Sequence, residues 1–270
     1  MKELFKPRGC TLIGMVHLGP ILRPDTVIDL VEQAAITDAL TLAEAGFDAV
    51  LIENFSDRPF YPDHVPPHCV AGMTRIAHSV RQALNERADS DVFLGINVLR
   101  NDAAAALGIA AAVGADFIRV NVHVGAMLTD QGIIQGKAHE TVRYRETIHP
   151  GCRILADVRV KHAVPLAGRP ALDEASDLVE RGCADGVILT GDRTGTPTDT
   201  KLLRSMHERL EGCPIIAGSG VTPDNIQQLA PYIHGIIAGT WTKQNGTVDN
   251  PVDLARAKEL VRTVRAYTRT

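Results

Sequence analysis

Residues 93–121 read FLGINVLRNDAAAALGIAAAVGADFIRVN, and this stretch decides the fold. Phe93–Val98 and Phe117–Asn121 are short, β-prone apolar segments. Between them Ala103–Val113 reads as a buried helix of small residues, which begins after the N-cap candidates Asn101 and Asp102 and stops before Gly114. Strand, helix and strand at this spacing form a βαβ unit. Working outward, the alternation continues through Leu12–Val16, Ala49–Glu53, Ile154–Arg159, Gly186–Thr190, Ile215–Gly218 and Gly235–Ala238, with helix-length stretches rich in Ala, Leu, Glu and Arg between them. Eight repeats of strand and helix predict an α/β chain closed into a (β/α)8 TIM barrel, whose active site is built at the C-terminal ends of the strands.

A length of 270 residues predicts one barrel domain spanning residues 1–270. The net charge of −4 offers no general field for a nucleic acid polymer or an anionic membrane. Cys10, Cys69, Cys152, Cys183 and Cys213 are scattered, with no C-x-x-C pair, which points to reduced thiols in a cytoplasmic protein. The N-terminal MKELFKPRG lacks the apolar core of a signal peptide, and Ala103–Val113, the longest apolar run, is too short to span a bilayer. No direct membrane insertion is expected.

A helix-to-strand junction recurs as EAGFDAVLIEN, AVGADFIRVNV and RGCADGVILTG. Gly46, Gly114 and Gly182 fit left-handed positions just past helix ends. Asp48, Asp116 and Asp185 follow 68 and 69 residues apart, an echo of internal repetition at two βα units. Because they precede strands, they belong to the face away from the site and read as corner formers. Two connections on the opposite face are long, Asn54–Gly72 and Val122–Glu140, as lids and binding loops are.

The seventh segment ends in Gly218-Ser219-Gly220 and leads to Thr222, a good N-cap, and Pro223, a good first helical residue. The eighth ends in Gly239-Thr240, and the sixth in Thr190-Gly191. Glycine backbone amides beside a helix start make an anion site, and this is where barrels of this kind hold phosphate. Gly218→Asp is the substitution that sequence alone suggests for blocking such a site at little cost to the fold.

Alternation in the fourth and fifth segments puts Arg119, Asn121 and His123 on one face, and Asp157, Arg159 and Lys161 on another, each aimed into the barrel mouth. His17, Glu53, Asn54, Asn97 and Arg100 join them from the first three segments. A carboxylate or imidazole that takes a proton, beside Lys, Arg or Asn groups that stabilise the oxyanion left behind, is the mixture that acid–base catalysis needs. A structural ion-pair network is the alternative for Arg119 and Asp157. A divalent metal stays open. His64, His68 and Cys69 with Asp63 are close in sequence, but Pro62, Pro66 and Pro67 deny them helical spacing, whereas His17, Glu53, His123 and Asp157 could meet in space.

The strings IGMVHLGP from Ile13, DAVLIENF, GINVLRNDAAAALGIAAAVGADFIRVNVHVGAMLTDQGIIQGKAHE, ILADVRVKHA and GSGVTPDN closely resemble the BtpA/SgcQ family, over residues 12–258. The resemblance implies a ribulose-phosphate-binding type of barrel and a phosphorylated small-molecule ligand. It also carries two biologies: a cyanobacterial member is tied to photosystem I accumulation at the thylakoid surface, and other members occur with sugar-uptake and kinase functions. This chain departs from the family after HLGP, where Ile21-Leu22-Arg23-Pro24 replaces a Gly-rich stretch. Pentulose-phosphate epimerases resemble this fold but carry an acidic residue where this chain has Gly218-Ser219-Gly220. The expected functions are therefore an enzyme acting on a phosphorylated sugar or nucleoside-like substrate, as an isomerase, lyase or glycosidase, or a non-catalytic assembly factor for a membrane complex. Barrels of this group often pair, which leaves a homo-oligomer open.

Overall fold

The computed structural model describes residues 3–5, 9–87, 91–160, 162–190 and 199–267. Eight parallel strands close a barrel: β1 (Thr11–His17), β2 (Ala49–Glu53), β3 (Phe93–Asn97), β4 (Phe117–Val120), β7 (Arg153–Arg159), β9 (Gly186–Leu189), β10 (Ile215–Ala217) and β11 (Gly235–Ala238). Each lies beside its neighbour in the alternation, and β11 returns to pair with β1. The helices α1 (Ile28–Ala45), α2 (Pro67–Asn85), α3 (Ala103–Val113), α4 (Ala138–Ile148), α5 (Ala171–Glu180), α6 (Thr200–Arg209), α7 (Ile226–Leu229) and α8 (Leu254–Tyr267) fall between and after the strands. No helix among the described residues is long and apolar enough to cross a membrane.

Side-chain alternation sorts the strands into two cores. One set of residues packs outward against the helices. The other, Ile13, Met15, Ala49, Leu51, Phe117, Leu155, Ile188, Ile216 and Ile237, fills the barrel interior and is closed off by Leu4 from the N-terminal segment. Gly95 lies in register with Phe117, and a Cβ there would sit on the Phe117 ring, so the glycine makes room for the largest interior side chain. Continuing the inward parity one step along each strand reaches His17, Glu53, Asn97, Arg119, Asp157, Thr190, Gly218 and Gly239. The upper layer of the barrel is thus polar or side-chain-free, above an apolar plug.

The recurring aspartates act as expected of corner formers, through one repeated device. Asp48 accepts from the Leu12 amide at 2.8 Å, Asp116 from Leu94 at 2.8 Å and Asp185 from Ile154 at 2.8 Å, so each ties its own strand to the previous one. Each also meets an arginine from a surrounding helix, Arg265, Arg81 and Arg145 respectively.

Four local expectations are corrected. Gly46 and Gly114 are left-handed, at φ 97° and 64°, but Gly182 is not; the left-handed residue there is Cys183 at φ 52°. A Cβ on Gly182 would lie 2.7 Å from Leu178 O and 2.8 Å from Val124 Cγ1, so that glycine serves close packing instead. The connection after β4 is not a plain loop. It folds into a hairpin, β5 (Ala126–Thr129) and β6 (Gly132–Gln135), joined by β8 (Ala163–Pro165) in a small antiparallel sheet. That sheet buries Met127 and Ile134 and leaves the cross-strand neighbours Ile133, Leu128 and Val164 exposed. Thr222 and Pro223 do not start a helix. The Asn225 side chain accepts from the Thr222 amide and donates to Gly220 O at 2.6 Å, closing a turn, and α7 is a single turn of four residues from Ile226. Finally, the register of β7 slips between Asp157 and Arg159, a bulge that turns Arg159 outward.

Candidate functional site

A cavity of about 280 Å³ opens where the polar layer ends. Its walls carry His17, Glu53, Arg100, Arg119 and Asn121 together with Gly218, Ser219, Gly220, Gly239 and Thr240. Members of both halves of the sequence-derived set therefore face one space. Phe55, Phe60 and Trp241 supply apolar wall.

Glu53 is buried and accepts from Asn97 Nδ2 at 2.5 Å, while His17 Nε2 stands 3.9 Å from its other oxygen. The His17 ring packs on Phe55, 4.5 Å between centroids. Asn97 lies behind Glu53 and fixes its orientation. Asp157 plays the same part for two other side chains. Its carboxylate receives Arg119 through Nε and Nη2 at 3.1–3.2 Å and Asn121 Nδ2 at 2.7 Å. Burial alone would lower the affinity of the Arg119 guanidinium for its proton, but Asp157 and Glu53 hold it above the ordinary range. Arg100 shows the reverse outcome: burial pulls it down, against the opposing pull of Asp157. Because Asn121 must donate to a carboxylate, its amide orientation is fixed, and its Oδ1 is left buried without a partner among the described residues. Asn121, a residue of the cavity wall, thus carries an unused acceptor.

Two backbone clamps hold these strand ends in place. Asn54 Oδ1 accepts from the Leu99 amide at 2.7 Å, linking β2 to the segment that carries Arg100. Asn101 accepts from the Val122 amide at 2.8 Å and donates to Val122 O at 2.9 Å, pinning a bend just after β4. Asp102 caps α3 through the Ala105 amide and also accepts from Val65, which ties the long connection after β2 to the site. Asp57 does likewise for the first connection, accepting from the Ile21 and Leu22 amides.

The bend at Val122 overturns the placement of His123. The strand ends at Val120, alternation stops there, and the His123 ring is buried away from the cavity with Nε2 2.8 Å from Gly182 O. Burial pushes its pKa down, keeping it neutral. Arg159 also leaves the mouth: it reaches Glu174 at 3.7 Å and donates to Arg169 O. Thr190 is buried beneath the rim, where its hydroxyl donates to Arg159 O at 2.5 Å. Lys161 and Gly191 lie outside the described residues. The four-residue metal set is not assembled, since His123 is elsewhere and Asp157 is engaged by Arg119 and Asn121. Among the described residues no group of three or more His, Cys, Asp or Glu is arranged to hold an ion. His64 precedes α2, while Cys69 in its first turn faces Asp57, whose carboxylate adds to the burial that pushes the thiol up to about 12.

Sequence reasoning missed Phe55, Phe60, Trp241, His162 and Arg256 on the cavity wall. Trp241 had a usable signal, being the one tryptophan of the chain and two residues past Gly239. Arg256 had none, since a basic residue on a terminal helix reads as solvent-facing.

The BtpA family model matches residues 8–266. The chain belongs to the BtpA family. It is 46% identical to an uncharacterized protein of Thermococcus kodakarensis, with 93% of each chain covered. It is 42% identical to the photosystem I biogenesis protein BtpA of Synechocystis, over 93% of this chain and 86% of that one. Among solved structures, thiamine phosphate pyrophosphorylase from Pyrococcus furiosus superposes with a TM-score of 0.59 at 16% identity, covering 95% of this chain and 96% of that one. At that identity the match supports the TIM-barrel fold of this BtpA-family chain and nothing finer.

Proposed function

We propose that this BtpA-family barrel is an enzyme that binds a phosphorylated sugar or nucleoside-like substrate and acts on it by acid–base chemistry, as an isomerase, lyase or glycosidase. The observation that carries this reading is the shared cavity: glycine-rich strand ends and a constellation of Glu53, His17, Arg119 and Asn121 line the same 280 Å³. The phosphate is held by backbone amides of Gly218–Gly220 and Gly239–Thr240. Glu53, oriented by Asn97 and close to His17, takes the proton, and the charge that develops is met by Arg119, itself held by Asp157. Asn121 Oδ1 receives a hydroxyl or amine of the substrate. The thiols are all free, which suits a cytoplasmic setting.

The test that is independent of reaction class is proton exchange. The protein is incubated in deuterated water with a panel of sugar phosphates and nucleoside monophosphates, and hydrogen exchange or product formation is followed by NMR. One phosphorylated class should react while its unphosphorylated counterpart does not. Glu53→Gln should slow the reaction by about 10²–10⁴-fold, the usual worth of a positioned acid or base. Thr240→Asp, at the partly exposed start of a 3-10 turn, should weaken binding. Absence of exchange, turnover and ligand-induced stabilisation across the panel overturns the reading.

A second reading, an assembly factor for a membrane complex such as photosystem I, is favoured by one observation: the name of the Synechocystis relative, matched along most of both chains. Complementation of a cyanobacterial strain lacking that relative separates the two. Rescue by Glu53→Gln as complete as by the natural chain supports a scaffold, and rescue by the natural chain alone supports the enzyme.

A further inference from the structure

We propose that Arg256, on the last helix, is the cationic clamp of the phosphate end of the cavity and sets its preference for doubly charged phosphate groups. The inference rests on the reading of the Gly218–Gly220 and Gly239–Thr240 rim as a phosphate site, and it adds a side chain that the strand ends do not contain.

That rim lacks the charge expected of it. In place of a long helix starting at Thr222, the chain makes an Asn225-closed turn and a four-residue α7, too short for a substantial helix dipole. The segments after β10 and β11, Gly218–Thr222 and Gly239–Trp241, carry no charged side chain. Three arginines line the cavity, and their circumstances differ. Arg119 is paired bidentately with Asp157, and Arg100 is buried beside Leu99 and within the field of Asp157 and Glu53. Arg256 makes no ion pair among the described residues. Its Nε donates to Trp241 O at 2.7 Å, and its guanidinium lies 4.2 Å over the Trp241 ring. Its backbone amide is fixed by Asp253 at 3.0 Å. Gly246, left-handed at φ 64°, lies beside Nη2, which would be in ordinary contact at 3.5 Å with a Cβ there. One edge of the guanidinium is therefore used for anchoring, the Nη groups make no hydrogen bond or ion pair among the described residues, and Arg256 lines the same cavity as Gly220, Thr222, Gly239 and Thr240.

A guanidinium stacked on an aromatic face and anchored through Nε is pre-organised, because little rotamer freedom is left to lose when it grips an anion. Arginine also meets a phosphate through two parallel N–H bonds. A second observation points the same way: Trp241 lines the cavity, and its Nε1–H is buried with no acceptor among the described residues. It can donate to the same ligand.

Trp241 is the one tryptophan of the chain, so it reports on its own site. The experiment is a titration of the full chain with inorganic phosphate, read both by tryptophan fluorescence and by calorimetry, with chloride at matched ionic strength as control. Saturable binding with a fluorescence change is expected, tightening as pH rises through the second ionisation of phosphate. Arg256→Met should weaken phosphate at least tenfold and abolish its pH dependence, and Arg256→Lys should recover part of the affinity. Arg256→Gln retains a donor for Trp241 O and serves if the Met variant loses its fold. Phosphate binding within twofold of the natural chain in folded Met and Gln variants overturns the clamp while leaving the phosphate site standing. Absence of saturable phosphate binding by the natural chain, with sugar phosphates also failing to bind, overturns both.

Discussion

Asp157 is the residue on which the site turns. Its side chain is fully shielded, and it holds the Arg119 guanidinium together with the Asn121 amide. Asp157→Ala should cost about 3–5 kcal/mol, because it strands a buried charge, while the double change Arg119→Met with Asp157→Leu should cost less than the single one. Urea unfolding of the three variants measures this, and a single variant no less stable than the double would contradict the buried-pair account. Gly218 shows how the tertiary setting changes a prediction made from sequence. A Cβ there would lie 2.5 Å from Ile188 Cγ2 and 2.6 Å from Thr190 Cγ2, so Gly218→Asp strikes the barrel packing as well as any ligand. Gly218→Ala alone should lose about 1–3 kcal/mol through overpacking, seen as a lowered urea midpoint. Thr240→Asp is the cleaner way to place a carboxylate at the rim.

At the scale of elements, the aspartate device decides how strands and helices interlock. Asp116 satisfies the Leu94 amide and anchors Arg81 of α2 at 2.7 Å. Asp116→Ala leaves a partly buried backbone donor unmet and should destabilise by about 1–3 kcal/mol, with the secondary structure retained. Circular dichroism with chemical unfolding checks both halves, and a change under 0.5 kcal/mol, as for an ordinary surface substitution, would rule the device out. These aspartates were legible in the sequence because their spacing repeats with the βα unit. The bend after β4 was not: alternation runs on past Val120 in the sequence, while the Asn101–Val122 clamp that ends it joins residues 21 apart. The bulge that expels Arg159 has the same character, since it is a property of pairing with β9.

For the whole molecule, one buried and one partly buried histidine set the acid limb of stability. Burial lowers the pKa of His123, and it lowers that of His234, whose Nδ1 accepts from the Ile215 amide at 3.1 Å and must stay unprotonated to do so. The unfolded chain therefore takes up protons first as pH falls below about 6.5, and stability present above that value declines below it. Urea midpoints should drop between pH 7.5 and pH 5.5, and His234→Gln should flatten the decline. An equal slope in that variant would clear His234. Thiol chemistry should be equally uneven. Cys10, Cys69 and Cys152 are pushed up to about 12 and Cys213 to about 11, chiefly by burial, while Cys183 is exposed. A thiol reagent should label one site quickly in the native protein and five after unfolding, and four fast sites would refute the burial described for them.

The sequence by itself determined the barrel, the order of its strands, the corner aspartates and most of the polar side chains that share the cavity. All of these follow from local periodicity: inward parity along a strand reaches Glu53, Arg119 and Gly239 without knowledge of their neighbours. Only the tertiary structure decided which polar residues face the cavity and which stand behind it, because that depends on where each strand stops. It removed His123 and Arg159 from the mouth and set Asn97 and Asp157 behind Glu53 and Arg119. It also brought Arg256 and Trp241 to a rim whose glycines lie 17 to 38 residues before Arg256. Such contacts carry no period in sequence, since they are fixed by the closure of the barrel and the path of the last helix across it.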